Sequence, residues 1–269
     1  MIVDFHCHSD CSDGQLSPVE LIKWAEQRNV QMLSITDHDT LDAYQQKIKT
    51  PIKLITGIEF STQWNKVGIH VVGLNVDAKS KQLQQVVVAQ KLQRLKRAEI
   101  IAKRLEKLGL KDALKTIQES QKKQFIGRPD FAQLLVNQGI CTDFNQAFKK
   151  YLGAGKIGDV KNQWKKLDEV ICAITQAGGV AVLAHPLYYQ LTNSKLRRLL
   201  TDFKKAGGAG LEVVNGYQNP DKTVYLLKLC QEFEFKASIG SDFHSPNQWK
   251  KLGCDSRLIA ELNPVWAEF

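Results

Sequence analysis

The chain has 269 residues, of which 43% are hydrophobic and 24% charged, so it has the composition of a globular protein that can bury a sizeable core. Its net charge of +9 favours an anionic partner such as a phosphate, a nucleotide or a nucleic acid. It has no run of about 18 or more apolar residues, no signal-peptide pattern at its start and six cysteines without a Cys-x-x-Cys pair, so we expect no membrane contact, reduced thiols and a cytoplasmic location.

Strands and helices alternate over the first quarter of the chain. Ser17, Pro18 and Glu20 form the pattern of a capped helix start and predict a helix to about Arg28. A short helix is expected near 40–48. Such alternation is typical of parallel β/α units. Apolar runs predict strands at 2–6, 31–36, 52–58 and 68–74.

From residue 79 to residue 166 the pattern is helical. Apolar residues recur at helical spacing, and Gly109 is a plausible helix end. The net charge of +9 is equally well explained by a solvated surface, but the first helix of this segment concentrates basic residues. We therefore divide the chain into a first barrel segment at 1–78, a helical insertion at 79–166 that serves as a lid or substrate domain, and a second barrel segment at 167–269. The basic residues of the first helix are Lys91, Arg94, Lys96, Arg97, Lys103, Arg104 and Lys107.

The alternation of helices and strands returns after the insertion. Helices are expected at 167–177, near 194–206 and near 221–233, and strands at 179–184, 210–214 and 236–240. Seven strands in total predict an α/β fold of the (β/α) barrel type. In such barrels the active site lies at the carboxyl ends of the strands, where the βα loops converge.

All six histidines of the chain lie within or just past short apolar runs. His6 and His8 are two residues apart in a predicted strand, so their side chains project from one face, while Cys7 points to the other. Asp13 follows in a turn where Gly14 lets the backbone double back over the strand end. Scattered surface histidines would not fall in this pattern. The candidate metal ligands are His6, His8, Asp13, His38, Glu59, His70, His185, Asp242 and His244.

Nine ligands are too many for one tetrahedral zinc ion and suffice for two or three metals. Imidazoles and carboxylates without thiolates favour Zn²⁺, Mn²⁺ or Fe²⁺. Neighbouring ions can share a hydroxide and polarise phosphoryl oxygens, which suits hydrolysis of a phosphate ester. Amide hydrolysis stays open on the same residues. Asp37 and Asp39 flank His38 and can orient ligands or, in the case of Asp39, cap a helix.

The order of the site motifs resembles that of the PHP family, named for its polymerase and histidinol phosphatase members. The motifs are HCHSDCSDG, TDHDT, GIEFS, GIHVVGL, AHP and GSDFH, and the resemblance covers nearly the whole chain. It implies a distorted seven-stranded β/α barrel with three metals. Further motifs resemble one bacterial subgroup, of nucleoside 3′,5′-bisphosphate phosphatases that also act as 5′ to 3′ exoribonucleases. These are IGRPDFAQLLVNQG, YLGAGKIGDV, GGVAVLAHP and GLEVVNG.

The resemblance also implies roles for individual residues. Glu59, Asp242 and His185 are expected to be catalytic, and manganese is the expected metal, with zinc or iron as alternatives. The implied ligand sets are His6, His8, Glu59 and Asp242 for the first metal, Asp13, His38 and His244 for the second, and Glu59, His70 and His185 for the third.

One position departs from the pattern of close family members. Arg128 matches a position that contacts substrate phosphate, although the Arg-Pro pair taken alone fits a surface salt bridge equally well. Two residues further on, where close members carry histidine, this chain has Asp130. A carboxylate beside an anionic substrate would repel it unless it were protonated or turned away.

The residues and the resemblance together leave three functions, in order of preference. The first is a metal-dependent phosphoesterase that removes the 5′-phosphate of nucleoside 3′,5′-bisphosphates, or 5′ nucleotides from short single-stranded RNA, through a metal-bridging hydroxide. The second is a phosphatase for histidinol phosphate or another small phosphomonoester. The third is a metal-binding or nucleic-acid-binding module without turnover.

Overall fold

The computed structural model describes residues 1–121, 125–161, 164–246 and 251–269. The chain folds into two compact units. The sheet unit consists of Met1–Val88 and Trp164–Phe269, and the helical unit of Ala89–Gln163. None of the helices in the described part of the chain has the length and apolar character needed to span a membrane.

The sheet unit contains nine strands among the described residues. They form a four-stranded sheet in the order β3-β2-β1-β9 and a five-stranded sheet in the order β4-β5-β6-β7-β8. Four pairs are parallel, whereas β1–β9, β4–β5 and β5–β6 are antiparallel. The strands are β1 Ile2–Cys7, β2 Val30–Ile35, β3 Lys53–Leu54, β4 Gly57–Trp64, β5 Val67–Leu74, β6 Val180–Leu183, β7 Gly210–Asn215, β8 Lys236–Gly240 and β9 Cys254–Asp255.

The structure corrects the predicted seven-stranded barrel, because the described residues form no closed barrel. The strand predicted at 52–58 is two elements, since β3 ends at Leu54 and β4 begins at Gly57. The β4 strand then turns back through Asn65 and Lys66, both at positive φ, and pairs with β5 over its whole length. This antiparallel hairpin places Glu59 within a strand rather than at its end. The helix predicted near 40–48 is a 3-10 turn of three residues.

The two sheets meet at two seams where single bridges replace a continuous ladder. Residues Cys7 and Phe243 form one bridge, and His38 and Glu59 form the other. Backbone hydrogen bonds support the seams, from Asp242 N to His6 O at 2.6 Å and from Asp39 N to Glu59 O at 2.9 Å. The ends of β1, β2 and β8 and the first half of β4 therefore come together.

Four α-helices of the described chain lie wholly within the sheet unit. At the start of α1, Ser17 N donates to Glu20 Oε2 at 2.9 Å and Ser17 Oγ accepts from Glu20 N, which is the capping arrangement that the sequence predicted. The face of α6 that carries Val170, Ile171 and Ile174 is fully buried in the main core. The four helices are α1 Pro18–Gln27, α6 Leu167–Gln176, α7 Asn193–Lys205 and α8 Pro220–Glu232.

The helical unit has a hydrophobic core of its own, with Ile101, Leu105, Phe131 and Leu135 among its buried members. Two of the basic residues noted in the sequence serve this unit structurally. The guanidinium of Arg94 lies 4.3 Å from the Phe125 ring centre. Arg104 Nη1 donates to the carbonyl oxygens of residues 157 and 159. The elements are α2 Lys81–Glu106, which begins in the sheet unit, α3 Ala113–Gln121, α4 Arg128–Asn137, α5 Phe144–Ala147 and a π-helical turn at Phe148–Leu152.

Candidate metal centre

The structure brings the nine predicted ligands together in the sheet unit. They form four overlapping groups in which the candidate ligand atoms lie within 4.8 Å of one another. These groups are His8, Asp13, His38 and His244; His6, Glu59 and His185; His6, His8 and Asp242; and His38, Glu59 and His70. All of the cysteines are free, and Cys7 turns away from the ligands to donate to Ser34 O at 3.3 Å. The groups that could hold a metal are therefore imidazoles and carboxylates.

Glu59 lies at the middle of this cluster and is fully buried. Its two carboxylate oxygens are surrounded by nitrogen atoms from five histidines, more than the four lone-pair positions of a carboxylate can serve. A carboxylate in such surroundings can bridge metal ions. The distances to Glu59 are 2.9 Å from His38 Nδ1, 2.8 Å from His70 Nδ1, 3.0 Å from His185 Nε2, 3.2 Å from His6 Nε2 and 3.4 Å from His8 Nε2.

Asp13 and Asp242 are the other two carboxylates of the cluster. Asp13 is 3.3 Å from His244 Nε2 and 3.7 Å from His38 Nε2, and Asp242 is 3.4 Å from His8 Nε2. The tight turn after β1 places Asp13 here, because Gly14 packs so closely that a Cβ at this position would lie 2.3 Å from the carbonyl oxygen of His8. Gly14, which the sequence predicted to allow the turn, is therefore needed because no side chain fits against the backbone of His8.

Several buried polar atoms of the cluster make no hydrogen bond of good geometry with any described residue, although some lie close to other candidate ligand atoms. Among them are His6 Nε2, both ring nitrogens of His8 and Glu59 Oε2. Buried polar groups are normally paired, so orphaned atoms that converge on one point need an explanation. Divalent metal ions provide it, because these residue types are the usual ligands of Mn²⁺, Zn²⁺ and Fe²⁺. The residues present fit a metal centre.

The ionisable groups of the cluster shift one another's pKa, in some cases toward the protonation state that binds metal and in others away from it. Burial alone would raise the pKa of Glu59, but the imidazoles, His38 foremost, hold it well below its usual range. Burial and the nearby His244 lower the pKa of His8 to about 3. Burial would also lower the pKa of His244, but Asp13 outweighs it and raises that pKa to about 9. Ionised carboxylates and a neutral imidazole are ready to bind metal, whereas His244 must first release a proton.

Glu212 is a further residue of this centre and was not among the residues predicted from the sequence. One of its oxygens lies 2.8 Å from His6 Nδ1 and the other accepts from the backbone nitrogen of His185 at 2.5 Å. Asn215 Nδ2 donates to the same carboxylate at 3.1 Å. A carboxylate on one imidazole nitrogen fixes the tautomer that presents the other nitrogen to a metal. The signal in the sequence was a charged residue inside an apolar strand, Leu211-Glu212-Val213.

The two aspartates that flank His38 hold loops of the site in place. Asp37 is buried and accepts from Ser9 N at 2.8 Å and from the hydroxyls of Ser9 and Ser12, each at 2.5 Å. It thereby fastens the turn that carries Asp13. Asp39 accepts from the backbone nitrogen of Ser61 in β4 at 2.8 Å.

Arg128 and Asp130 lie at the start of α4 in the helical unit. Arg128 is partly buried, its Nη1 donates to the carbonyl oxygen of Leu152 at 3.3 Å, and its guanidinium lies 5.8 Å from the Phe148 ring centre. Asp130 Oδ2 accepts from the backbone nitrogen of Gly127 at 2.7 Å. Asp130 therefore caps its own helix, and this contact gives a structural reason for aspartate where the family pattern has histidine.

Comparison with known proteins identifies the family. A model of the PHP domain matches residues 4–213. The chain is 40% identical over 273 residues to the 5′-3′ exoribonuclease of Haemophilus influenzae, covering 99% of this chain and 98% of that protein. It is 34% identical over 272 residues to the 3′,5′-nucleoside bisphosphate phosphatase of Chromobacterium violaceum, covering 99% and 95%.

A solved structure resembles the fold along nearly the whole chain. It is of a Chromobacterium violaceum protein described as an amidohydrolase with bound sulfate and no metal, with a TM-score of 0.89 and 33% identity over 98% of this chain and 94% of that one. The resemblance that the motifs carry, to the family and to its subgroup of exoribonucleases and bisphosphate phosphatases, is confirmed by these matches. The chain belongs to the PHP domain family.

Proposed function

We propose that this chain is a metal-dependent phosphoesterase that hydrolyses the 5′-phosphate of nucleoside 3′,5′-bisphosphates and releases 5′ nucleotides from short RNA. The observation that carries the proposal is the buried cluster around Glu59, where ligand atoms lie in four overlapping groups within 4.8 Å. Two relatives of nearly equal length, named as an exoribonuclease and as a bisphosphate phosphatase, support the choice of substrate.

The cluster has enough ligands for three metal ions, which we propose to be manganese. When bound, such ions stabilise negative charge on phosphoryl oxygens and lower the pKa of water. The proposed ligand sets are His6, His8, Glu59 and Asp242; Asp13, His38 and His244; and Glu59, His70 and His185.

The chain's own residues prepare this chemistry. Glu59 brings a buried negative charge that offsets part of the metal charge, and Asp13 and Asp242 add two more. Glu212 contacts Nδ1 of His6 and so fixes the orientation of the ring, whose Nε2 is then available to a metal. The remaining positive charge suits a phosphate dianion.

We further propose that the helical unit supplies substrate contacts. Arg128 is the proposed phosphate ligand, because a guanidinium can grip phosphate oxygens through two parallel hydrogen bonds. Burial lowers its pKa from the usual value, against the effect of Asp159. The Asp130 carboxylate is turned to the backbone of Gly127, so it need not oppose a phosphate at Arg128.

The test is phosphate release by the manganese-loaded protein from adenosine 3′,5′-bisphosphate, AMP, histidinol phosphate and a 5′-phosphorylated RNA oligomer. We expect release from the bisphosphate and nucleotide release from the RNA, both lost in Glu59→Ala and both kept in Glu261→Ala, a control on the exposed surface. Activity on histidinol phosphate alone would contradict the proposed substrates but would still support the proposed metal site. Metal binding without turnover of any phosphate ester would contradict the proposal as a whole.

A further inference from the structure

The helical unit contains a surface cleft that takes no part in the metal centre. Its volume is about 680 Å³, within the range of small-molecule sites. The cleft lies where α5, the π-helical turn Phe148–Leu152 and the following glycine-rich loop meet. Three lysines, two amides and one aromatic ring line most of it: Lys149, Lys150, Lys156, Asn145, Gln146 and Tyr151.

The loop that forms one wall is closely packed. The Gly158 amide donates to the Tyr151 carbonyl oxygen at 2.7 Å, and the Gly153 amide donates to Phe148 O at 2.8 Å. A Cβ at Gly158 would lie 2.9 Å from the same Tyr151 oxygen, so this approach requires glycine. These backbone hydrogen bonds hold the loop against the π-helical turn, so the backbone that carries the three lysines has a defined conformation. Turns of the π-helical type, like the one that carries Lys149, Lys150 and Tyr151, are frequent at functional sites.

The charge of the cleft is unbalanced. Lys149, Lys150 and Lys156 are exposed, and none of their ammonium groups has an ion-pair partner among the residues that the structure describes. The one carboxylate in the lining, Asp143, already accepts from Gln146 N at 2.8 Å and from Thr142 Oγ1 at 2.9 Å. The lining thus contains three lysine ammonium groups and one carboxylate that is already hydrogen-bonded. This excess of positive charge suits a ligand with several negative charges.

The remaining residues that line the cleft indicate which class of anion it could bind. Tyr151 is half-buried: its side chain packs against the core of the helical unit and also lines the cleft with the lysines. The Asn145 amide can donate and accept, and the Gln146 amide, whose oxygen accepts from Thr142 N at 3.2 Å, can still donate. Lysines beside an aromatic ring are the pattern by which proteins hold single-stranded nucleic acid, since the cations neutralise phosphates and the ring stacks on a base. An acidic protein segment would use the lysines but not the ring.

We propose that this cleft is an accessory binding site for single-stranded RNA, which holds backbone phosphates other than the one that is hydrolysed. The inference rests on the proposed function in one respect, that RNA is a substrate. It assigns RNA binding to a defined place, the cleft, rather than to the basic face of α2 or to the net charge of the whole protein.

The test compares two triple variants that remove the same charge from the same unit. Lys149, Lys150 and Lys156 are changed to alanine in the cleft variant, and Lys103, Lys107 and Lys111, which are also exposed, in the control variant. Both are made in the full chain with Glu59→Ala, so that RNA is not consumed. The affinity for a 3′-fluorescent, 5′-phosphorylated RNA oligomer is measured by anisotropy at several salt concentrations.

We expect the cleft variant to raise the Kd at least about tenfold and to flatten the slope of log Kd against log salt by about 2, the value for three lost contacts with single-stranded phosphates. The control variant should change Kd by less than about threefold. With Glu59 intact, the cleft variant should raise KM for RNA and hydrolyse adenosine 3′,5′-bisphosphate at the wild-type rate.

Equal losses in both triple variants, or no loss in the cleft variant, would overturn the inference. So would displacement of the RNA by polyglutamate as effectively as by unlabelled RNA, since that result would make the cleft a general anion site. Failure of the proposed function can be told apart from failure of this inference. If the wild-type protein hydrolysed no phosphate ester, the proposed function would fail, but RNA binding by the two triple variants could still be compared by anisotropy.

Discussion

Glu212 makes contact with two of the proposed metal ligands at once, through His6 Nδ1 and the backbone nitrogen of His185. Because it sets the tautomer and orientation of His6, Glu212→Gln should weaken Mn²⁺ binding by about 10- to 100-fold. Equilibrium dialysis with measurement of bound metal checks this without reference to activity. Glu261→Gln on the surface is the matched control, and equal metal contents in the two variants would show that Glu212 has no positioning role.

Asp37 carries the second prediction at this scale. It is fully enclosed and accepts three hydrogen bonds from Ser9 and Ser12, so Asp37→Ala leaves three buried donors unpaired. We expect a loss of roughly 3 kcal/mol in the free energy of unfolding, measured by urea denaturation of the metal-free protein. Asp42→Ala, at a half-buried position nearby, should lose far less. A loss below about 1 kcal/mol for Asp37→Ala would contradict the role assigned to these bonds.

The sequence positions of the nine proposed ligands indicated that these residues share one site, whereas the position of Glu212 did not indicate its contacts. Each predicted histidine stands within or just past an apolar run, and strand alternation gives the shared face of His6 and His8 from spacing alone. Glu212 has its partner 206 residues away in the chain. No local pattern records such a contact, and a carboxylate inside a strand shows only that something must pair with it.

At the scale of elements, the four helices α1, α6, α7 and α8 were predictable, whereas the helix predicted near 40–48 and the β4–β5 hairpin were not. Helix ends depend on nearby residues, such as the Ser17 and Glu20 cap, so α1, α6, α7 and α8 lie within a few residues of their predicted positions. The β4 strand carries the polar run Ser61-Thr62-Gln63, which obscures a strand pattern. Its polar groups are satisfied by distant partners, as when Ser61 N donates to Asp39 and Thr62 Oγ1 to the carbonyl oxygen of Lys165.

The capping of α4 gives a prediction for Asp130. Replacement by alanine removes the acceptor for the Gly127 amide and should cost about 1 kcal/mol of stability, measured by thermal or urea unfolding. The rate of bisphosphate hydrolysis should stay within about twofold of wild type, since the carboxylate faces its own helix. Asp143→Ala, at the exposed cap of α5, is the control for capping alone. A rate increase of tenfold or more in Asp130→Ala would show instead that the carboxylate repels the substrate.

At the scale of the whole molecule, the metal centre and the stability of the fold are linked. One metal ion that binds the folded chain at about 100 times its Kd adds about 2.7 kcal/mol to its stability. For a protein of this size that gain corresponds to a rise in Tm of roughly 5–10 °C, which a thermal scan with and without Mn²⁺ measures. Glu59→Gln should lose most of the rise, whereas Glu261→Gln should keep it. An unchanged Tm in saturating Mn²⁺ would contradict a preformed buried centre.

The net charge is also a property of the whole molecule, and the sequence showed only in part which basic residues are available to a partner. The excess of 37 basic over 28 acidic residues indicated an anionic partner. It did not separate basic groups that stabilise the helical unit, such as Arg94 and Arg104, from the cleft lysines, which have no ion-pair partner in the described part of the chain. That distinction depends on which side chains the fold brings within reach of a carbonyl, a ring or a carboxylate.

The seams between the two sheets lead to one more consequence. Every one of the four ligand groups draws residues from both sides of a seam, so a bound ion would cross-link β1 or β2 to the five-stranded sheet. Like a disulfide, such a link restrains parts of the chain that are otherwise joined by single bridges and a few hydrogen bonds rather than by a continuous ladder. In hydrogen exchange, the amides of Asp39 and Asp242, which donate across the two seams, should therefore exchange faster once the metal is chelated, while amides inside the ladder of β4 and β5 keep their protection.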